Sequence, residues 1–468
     1  MTAVCKMIGS SLFLRSLCRN CLKINHISKR LISSSQNVDV DKGNQYDIII
    51  AGGGMVGCTL ACTLAKNPKL ASQRILLLEG SPEQKFTLKE EFSNRVTALN
   101  HSTKKLMTSI GAWKHIEQMR CQAVKNMQVW DASSDAMITF NHDNLQGDVA
   151  FIVENDVLLH AVNTEISSPD VHNEVNVVYS AKIADYKLAN SDREKAIVKM
   201  ENGDTYSCRL LLGADGANSK VRATMGVQYL SWAYNQMGVV ATIELAEETV
   251  NTTAWQRFLP SGPVALLPLG PRHSSLVWTT SSQEAKRLLQ IPQQEFMDCL
   301  THALHHQYPR NGVVDGALGA LSTLLGAPGP RQLPPALACA SQRAAFPLAF
   351  GHASRYVGHN VALIGDAAHR VHPLAGQGVN LGFGDVSDLV RILAEAVYSG
   401  EQLGEKSQLL KYETIRQRHV FPTAVGIDGL QKLYSYNNTP TILLRSLGLQ
   451  ITHSLAPLKK VIMNHAMG

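Results

Sequence analysis

The 468-residue chain has no run of about 18 or more apolar residues, which is the length that a transmembrane helix requires. The sequence therefore predicts no membrane-spanning helix, and any membrane contact is expected to be peripheral.

The nine cysteines of the chain form neither a disulfide framework nor a zinc-binding pattern, although Cys18 and Cys21 make one isolated CxxC pair. No metal site is predicted. With 45% hydrophobic residues, the chain suits a globular protein of several domain-sized units.

Acidic residues are absent before Asp39, where serine and leucine surround six basic residues: Lys6, Arg15, Arg19, Lys23, Lys29 and Arg30. This composition is typical of a mitochondrial transit peptide, predicted over residues 1–38, and the alternative is a disordered basic tail. Without these residues the net charge of +6 disappears, which argues against nucleic-acid binding. The scattered cysteines fit a reducing compartment such as the mitochondrial matrix.

A glycine-rich turn follows the first strongly apolar segment, residues 47–51. Gly52, Gly54 and Gly57 have GxGxxG spacing, and the small residues that follow predict a helix packed closely on a sheet. Such a turn places backbone amides of a helix N-terminus beside a pyrophosphate. The next predicted strand, residues 74–78, ends in Glu79, whose carboxylate can accept hydrogen bonds from adenosine ribose hydroxyls. The unit therefore predicts an adenine dinucleotide site, for either FAD or NAD.

Two further strand-turn segments carry acidic residues among small ones. Asp215 lies in the segment Gly-Ala-Asp-Gly after a predicted strand, and in isolation it could be a structural turn. Asp366 lies in Gly-Asp-Ala-Ala-His after the apolar run 361–364 and precedes a glycine-rich turn and a helix. Arg95 either begins a helix or faces the cofactor. His369 and His372 lack a third grouped ligand, so we do not predict a metal site there.

The remaining chain predicts mainly antiparallel strands and then helices. Strands alternate between residues 238 and 280, where Trp255, Phe258 and Trp278 are either core residues or lining of an aromatic pocket. The segment 309–338, rich in Gly, Pro, Ala and Leu, predicts either a mobile insertion or an apolar contact surface. The amphipathic region 441–467 suits either a packed terminal helix or a membrane-surface contact.

Together the three motifs resemble the FAD-dependent aromatic hydroxylases that share the fold of para-hydroxybenzoate hydroxylase. Four longer segments are similar to those of the ubiquinone-biosynthesis hydroxylases: SNRVTAL at 93–99, VENDVLLHAV at 153–162, WQRFLPSGPVALLPL at 255–269 and HPLAGQGVNLGFGD at 372–385. The resemblance covers about residues 45–468. It implies FAD as the cofactor and a Rossmann-like α/β FAD-binding domain with an inserted antiparallel-sheet substrate domain and a C-terminal helical region.

The resemblance also implies roles for individual residues. Glycines 52, 54 and 57 and Glu79 would bind the ADP part of FAD, while Arg95, Asp215 and Asp366 would serve the pyrophosphate and ribityl regions. The turn from Pro373 to Asn380, with Gly376 and Gly378, would border the flavin ring, with Pro373 and Gly376 beside it. The paired tyrosines that handle the phenol proton in para-hydroxybenzoate hydroxylase have no recognisable counterpart.

The implied reaction is hydroxylation by O2, through a flavin C4a-hydroperoxide, of a polyprenylated 4-hydroxybenzoate-type phenol at C5, with C1 as a second position. A single GxGxxG motif predicts no permanent second nucleotide domain, so electrons would come from NAD(P)H or a protein donor. The resemblance implies ferredoxin with its reductase, partner subunits of a ubiquinone-biosynthesis complex and a peripheral site on the matrix side of the inner membrane.

The predicted domains are an FAD-binding domain over 45–115, 150–228 and 346–400, a substrate domain over 116–149 and 229–345, and a helical region over 401–468. Two alternative functions stay open at this point. One is a non-enzymatic flavin-fold scaffold of a biosynthetic complex, against which the retained Asp366 segment argues. The other is a kynurenine-type hydroxylase, a class that usually has a C-terminal membrane span.

Overall fold

The structure is a computed structural model that describes residues 42–134, 136–141, 147–171, 174–325, 332–455, 457 and 459. The predicted transit peptide, residues 1–38, lies outside the described residues.

The strands are β1 Gln45–Ala51, β2 Ile75–Leu78, β3 Val96–Leu99, β4 Gln122–Val124, β5 Asn126–Asp131, β6 Met137–Asn141, β7 Ala150–Glu154, β8 Val175–Val178, β9 Ile183–Lys187, β10 Ala196–Met200, β11 Thr205–Gly213, β12 Tyr229–Leu245, β13 Thr253–Leu259, β14 Gly262–Gly270, β15 His273–Ser281, β16 Leu337–Ala340, β17 Ala344–Ala353, β18 Val357–Gly358, β19 Val361–Leu363 and β20 His369–Arg370. The helices are α1 Met55–Ala65, α2 His101–Ser109, α3 Ala112–Met119, α4 Asn155–Ile166, α5 Lys220–Thr224, α6 Ser282–Gln290, α7 Gln293–His305, α8 Gly312–Leu325, α9 Gly378–Tyr398, α10 Lys406–Ser435 and α11 Thr439–Ser454.

The first sheet has the parallel strand order β19-β11-β1-β2-β8 at its centre. Strand β1 is buried on both faces, as its branched apolar residues Ile48, Ile49 and Ile50 require. Helices α1, α4 and α9 contribute to the large core around this sheet. The predicted α/β class is confirmed.

The second sheet has nine strands, in the order β20-β17-β12-β15-β14-β13-β5-β6 with β16 beside β12. Its neighbouring strands are antiparallel except for β13 and β5. Strand β12 begins at Tyr229, earlier than the predicted start at residue 238, because its first residues pair with β17 before a register shift between Ala233 and Met237. Strands β17 and β20 also join this sheet, whereas the predicted domain division, which stays a prediction, assigns most of β17 and all of β20 to the FAD-binding domain.

The segment 309–338 contains the helix α8, which the sequence analysis did not predict. Val314 and Leu318 lie four residues apart and bury one helix face in a small cluster with Ala136, against Leu443 and Leu447 of α11. This packing supplies the stabilisation that a glycine-rich segment lacks on its own. The segment therefore forms a contact surface over the length of α8.

The C-terminal helices are longer or more specifically packed than their sequence patterns indicate. The sequence predicts a helix over residues 409–419, whereas the observed helix α10 covers 30 residues. Helix α11 buries the polar side chains of Arg445, Ser446 and Gln450. Up to Ser454 the predicted amphipathic region is a packed helix, and its contact with a membrane surface stays a prediction. Residues 456, 458 and 460–467 of this region lie outside the described residues. Among the described residues, no helix is long and apolar enough to cross a membrane.

Candidate functional site

Four neighbouring parallel strands bring the predicted site residues to one edge of the first sheet. Gly52 follows β1, Glu79 follows β2, Asp215 is the second residue after β11, and Asp366 follows β19 after a short turn. Since β19, β11, β1 and β2 are consecutive neighbours, their carboxyl ends lie at the same edge. Ligands of open α/β sheets bind in the crevice outside such carboxyl ends.

The glycine-rich turn brings helix α1 directly against the end of β1. Gly52 has φ +107°, and a Cβ at Gly57 would lie 1.9 Å from the carbonyl oxygen of Gly52. Gly54 is the N-terminal cap of α1, where no side chain caps the helix and the first turn has no acidic residue. A Cβ at Gly54 would meet no atom within 4 Å. The first amides of α1 therefore have no side-chain cap, and a phosphate group could accept hydrogen bonds from them.

Glu79 holds the glycine turn from the neighbouring strand. Its Oε2 accepts a hydrogen bond of 2.7 Å from the Gly53 amide, and its Oε1 accepts one of 2.7 Å from the Ser81 amide. Each carboxylate oxygen can accept a second hydrogen bond. Glu79 therefore fixes the turn and keeps acceptor capacity for hydroxyl groups of a ligand.

Asp215 uses only one of its two carboxylate oxygens within the described chain. Its Oδ2 accepts hydrogen bonds from the amides of Lys220 (2.8 Å) and Val221 (3.2 Å) at the start of α5. Its Oδ1 is buried and has no hydrogen-bond partner among the described residues. Buried polar atoms are normally paired, so this oxygen is an acceptor available to a bound group.

Arg222 joins the Asp215 turn to the Asp366 turn, a role that the sequence analysis missed. Its guanidinium donates to the carbonyl oxygens of Ala217 (2.7 Å) and Ala367 (2.9 Å) and lies 3.7 Å from the centre of the Tyr229 ring. Ala367 is 145 residues further along the chain, so no local pattern could have indicated this contact. The two acidic turns are therefore held at a fixed separation.

Asp366 is exposed to solvent at the edge of the sheet. Partial desolvation by the neighbouring protein raises the pKa of its carboxyl above the usual value, while His369 and Arg370 oppose the shift. The preceding residue, Gly365, has φ +59°, a left-handed conformation that favours glycine. The turn thus presents an acceptor-bearing side chain to the crevice.

The turn from Pro373 to Asn380 is tied to strand β3 by the buried side chain of Asn380. The Asn380 amide nitrogen donates to the carbonyl oxygens of Ala98 (2.8 Å) and Gly376 (3.1 Å). Its oxygen accepts hydrogen bonds from the Asn100 amide and the Thr103 hydroxyl. Asn380 therefore shapes the turn. Gly376 has φ +60°, and Gly378 begins α9.

His372 fixes the start of the same turn. Its Nδ1 accepts a hydrogen bond of 3.1 Å from the Leu374 amide, and its ring makes an edge contact with Tyr234, with 5.0 Å between ring centres. Burial lowers the pKa of His372 to about 4, so its ring is neutral at neutral pH. His372 therefore acts there as an uncharged cap.

The remaining predicted residues divide between surface and core. Arg95 is exposed, directly precedes β3, and its guanidinium makes no ion pair within the described part of the chain. Trp255 and Trp278 lie in the core of the second sheet, and Phe258 stacks on Tyr434 with 3.7 Å between ring centres. These three aromatic side chains are thus packed as core residues.

The donors and acceptors at the sheet edge fit FAD. The uncapped amides of α1 suit a diphosphate. The carboxylates of Glu79 and Asp366 and the unpaired oxygen of Asp215 suit the hydroxyl groups of ribose and ribityl chains. The described residues contain no group of three or more His, Cys, Asp or Glu residues that could hold a metal ion.

Known sequences match this chain over most of its length. The FAD binding domain family matches residues 45–313 and 332–424. The mitochondrial ubiquinone biosynthesis monooxygenase COQ6 of Drosophila melanogaster is 48% identical over 94% of this chain and 96% of its own length. The Homo sapiens protein of the same name is 45% identical over 90% of this chain and 92% of its own length.

Solved structures with a similar fold are more distant in sequence. A probable FAD-dependent monooxygenase, PqsL from Pseudomonas aeruginosa, has a TM-score of 0.63 and 20% identity over 86% of this chain and 100% of its own. Klebsiella pneumoniae HpxO, solved as a variant complexed with FAD, has a TM-score of 0.65 and 15% identity over 90% of this chain and 99% of its own. At these identities the likeness concerns the fold.

Proposed function

The chain belongs to the family of mitochondrial ubiquinone biosynthesis monooxygenases and has its FAD-binding domain, and from this premise we propose that it hydroxylates a polyprenylated 4-hydroxybenzoate-type phenol at ring carbon C5. A second hydroxylation at C1 is part of the same proposal and is open to the same product analysis. The chain is an FAD-dependent monooxygenase. The observation that carries the proposal is the convergence of Glu79, Asp215 and Asp366 on the sheet edge where α1 begins.

The proposed cofactor site uses the sheet edge from one end to the other. The α1 terminus at Gly54, with Arg95, would hold the pyrophosphate, Glu79 the adenosine ribose, and Asp215 and Asp366 the pyrophosphate and ribityl regions. When bound and reduced, FAD would activate O2 so that one oxygen atom is transferred to the substrate ring.

The turn from Pro373 to Asn380 is proposed to border the reacting ring, with Pro373 and Gly376 beside it. Asn380 and His372 hold this turn by hydrogen bonds from within the protein, so it is preorganised before substrate enters. A fixed turn lined by few charged groups helps to exclude water from the reacting atoms. No nucleophilic side chain is required in this reaction.

The polyprenyl tail of the proposed substrate favours a peripheral site on the matrix side of the mitochondrial inner membrane. Helices α8 and α11 pack together and leave large apolar side chains exposed, with Val313 66%, Leu324 81% and Leu444 64% accessible. A photoactivatable crosslinker placed in a bilayer should label α8 and α11. Labelling elsewhere on the chain, with none on these helices, would contradict this location.

Electrons are proposed to come from ferredoxin and its reductase, with NAD(P)H as the competing source. The chain has one GxGxxG motif, which the proposed FAD site would use, so no second nucleotide domain is predicted. Subunits of a ubiquinone-biosynthesis complex are proposed as further partners.

The first test is the visible absorption spectrum of the purified protein, before and after heat release of the cofactor. Flavin bands equivalent to about one FAD per chain are expected. The holoenzyme would then be reduced anaerobically with NADPH or with ferredoxin and its reductase, and the products from a short-tailed prenyl phenol would be identified by mass spectrometry. A protein that stays colourless after incubation with FAD would overturn the proposal and favour a scaffold role.

A further inference from the structure

Asp385 on α9 is a fully buried carboxylate whose oxygens are all engaged. Its Oδ2 accepts a hydrogen bond of 2.8 Å from the Gly365 amide and lies 2.7 Å from Nε2 of His369. Its Oδ1 accepts a hydrogen bond of 2.7 Å from Nε of Arg416 on α10. Both carboxylate oxygens are therefore occupied, Oδ2 by the segment from Gly365 to His369 and Oδ1 by Arg416 of α10.

The buried negative charge of Asp385 requires stabilisation by its partners. An ion removed from water is destabilising unless opposite charges and hydrogen bonds compensate it. Burial alone would raise the pKa of Asp385, but His369 and Arg416 lower it below the usual value. The side chain is therefore an anion that the surrounding groups stabilise in one position.

The two contacts of Oδ2 enclose the turn that carries Asp366. Gly365 directly precedes Asp366, and His369 follows it by three residues. One carboxylate oxygen thus holds both ends of the turn, and the Asp366 side chain projects between them toward solvent. Loss of this acceptor would free the left-handed Gly365 and the His369 ring together.

Arg416 extends the same arrangement to α10. A Cβ at Gly384 would lie 2.7 Å from Nη2 of Arg416, so the absence of a side chain there lets the guanidinium reach Asp385. Nη2 donates to the Leu381 carbonyl oxygen, and Nη1 contacts Asp388 at 3.1 Å. Asp388 is partly exposed and also pairs with Arg391 at 3.0 Å, so the ion pairs continue outward along α9.

We propose that Asp385 is a positioning residue for FAD binding, which acts by holding the Asp366 turn in its binding conformation through Gly365 and His369. This inference rests on the proposed FAD site. The competing interpretation gives Asp385 a role in packing α9 against α10 alone, with no effect on cofactor affinity once the protein is folded.

The test compares Asp385→Asn with Asp388→Asn, a matched change one helical turn away on the same Arg416 network. FAD would be removed from each holoenzyme, and FAD affinity would be measured by quenching of flavin fluorescence, with the melting temperature of each apoprotein recorded in parallel. We expect about tenfold or greater weakening of FAD binding for Asp385→Asn, about 1.4 kcal/mol or more. Asp388→Asn should stay within about twofold of the parent.

Equal FAD affinities for the parent and Asp385→Asn, even with a lower apoprotein melting temperature, would overturn the inference. Equal weakening in Asp385→Asn and Asp388→Asn would also overturn it, because the effect would then belong to the α9–α10 contact in general. If Asp385→Asn does not fold, His369→Gln removes one of the two turn contacts and should still weaken FAD binding severalfold. A parent protein that binds no FAD would instead refute the proposed function.

Discussion

The parallel sheet and the nine-stranded sheet each have a buried Asp–Arg pair beside them, and the two pairs have different neighbours. Beside the parallel sheet, Asp385 and Arg416 support the turn that presents Asp366. Beside the nine-stranded sheet, Arg445 of α11 bonds Asp131 at 2.6 Å and donates to the Ser133 hydroxyl at 3.1 Å. The first pair lies behind the turn that carries Asp366, whereas the second attaches a terminal helix to β5. Breaking the Asp385–Arg416 pair should therefore weaken FAD affinity, whereas breaking the Asp131–Arg445 pair should lower the stability of the folded protein.

The largest effect is expected from Asp131→Ala, which leaves the buried Arg445 without its counter-ion. The free energy of unfolding should fall by about 3–5 kcal/mol. Urea unfolding measures this loss, and FAD affinity of the folded protein should stay within about twofold of the parent. The double variant Asp131→Leu, Arg445→Met should recover most of the stability, since no unpaired charge is left. A large loss of FAD affinity would remove the distinction between the two pairs.

Acid should weaken the parallel-sheet region through Glu165 on α4. Burial alone would raise the pKa of Glu165, but hydrogen bonds from Lys66, Lys114 and His115 lower it from 4.5 to about 2. Its stabilisation is therefore complete above about pH 4.5 and is lost as the pH falls toward 2.

In Glu165→Gln, the stabilisation that this pKa shift represents is absent, so the variant should be less stable than the parent by up to about 3 kcal/mol at neutral pH. Unfolding free energies between pH 2 and 7 check this expectation. The difference should shrink below pH 4.5, and a difference independent of pH would contradict the assignment.

Gly57→Ala tests the close contact between α1 and the glycine turn. The added Cβ would lie 1.9 Å from the Gly52 carbonyl oxygen, so the turn must shift. A loss of about 1–3 kcal/mol in stability is expected, with much weaker FAD binding in titrations. Gly426→Ala is the matched control, because Gly426 is exposed on α10 and its Cβ would meet nothing within 4 Å. That variant should gain about 0.5–1 kcal/mol. Normal FAD binding by Gly57→Ala would count against the proposed pyrophosphate site.

Asn380→Ala should give a smaller loss of stability, about 1–2 kcal/mol, because backbone groups that its side chain satisfied lose their partners. The looser turn should also increase the hydrogen peroxide released per electron pair consumed by the holoenzyme. Ser387→Ala on the same helix removes a single local hydrogen bond and serves as the control. Unchanged peroxide release in Asn380→Ala would separate this turn from the reacting region.

Local motifs predicted the elements of the parallel sheet well. The GxGxxG turn, the acidic strand end at Glu79 and the small-residue turns at Asp215 and Asp366 each occupy a few consecutive residues. The hydrogen bonds and close contacts of these turns depend on the spacing of their residues, so the sequence pattern is enough to predict the turns. Their grouping at one edge follows from parallel strand order, and the sequence-predicted α/β fold is confirmed. The role of each residue toward FAD stays a prediction.

Contacts between distant segments were not predictable in this way. Arg445 is 314 residues from Asp131, and Arg222 is 145 residues from Ala367. No periodicity relates such partners, and each side chain alone suits an exposed surface equally well. Helix α8 was missed for the same reason, since its stabilising partner is α11.

The order of strands in the parallel sheet also determines when the cofactor site can form. Strand β11 lies between β1, at Gln45–Ala51, and β19, at Val361–Leu363, so the Asp366 turn joins the glycine turn only after more than three hundred residues are available. Contacts between residues so far apart in sequence make folding slow. In a chain that enters its folding compartment gradually from the N-terminus, the cofactor site therefore stays incomplete until almost the last fifth of the polypeptide has arrived. Cofactor capture is then a late event in biogenesis.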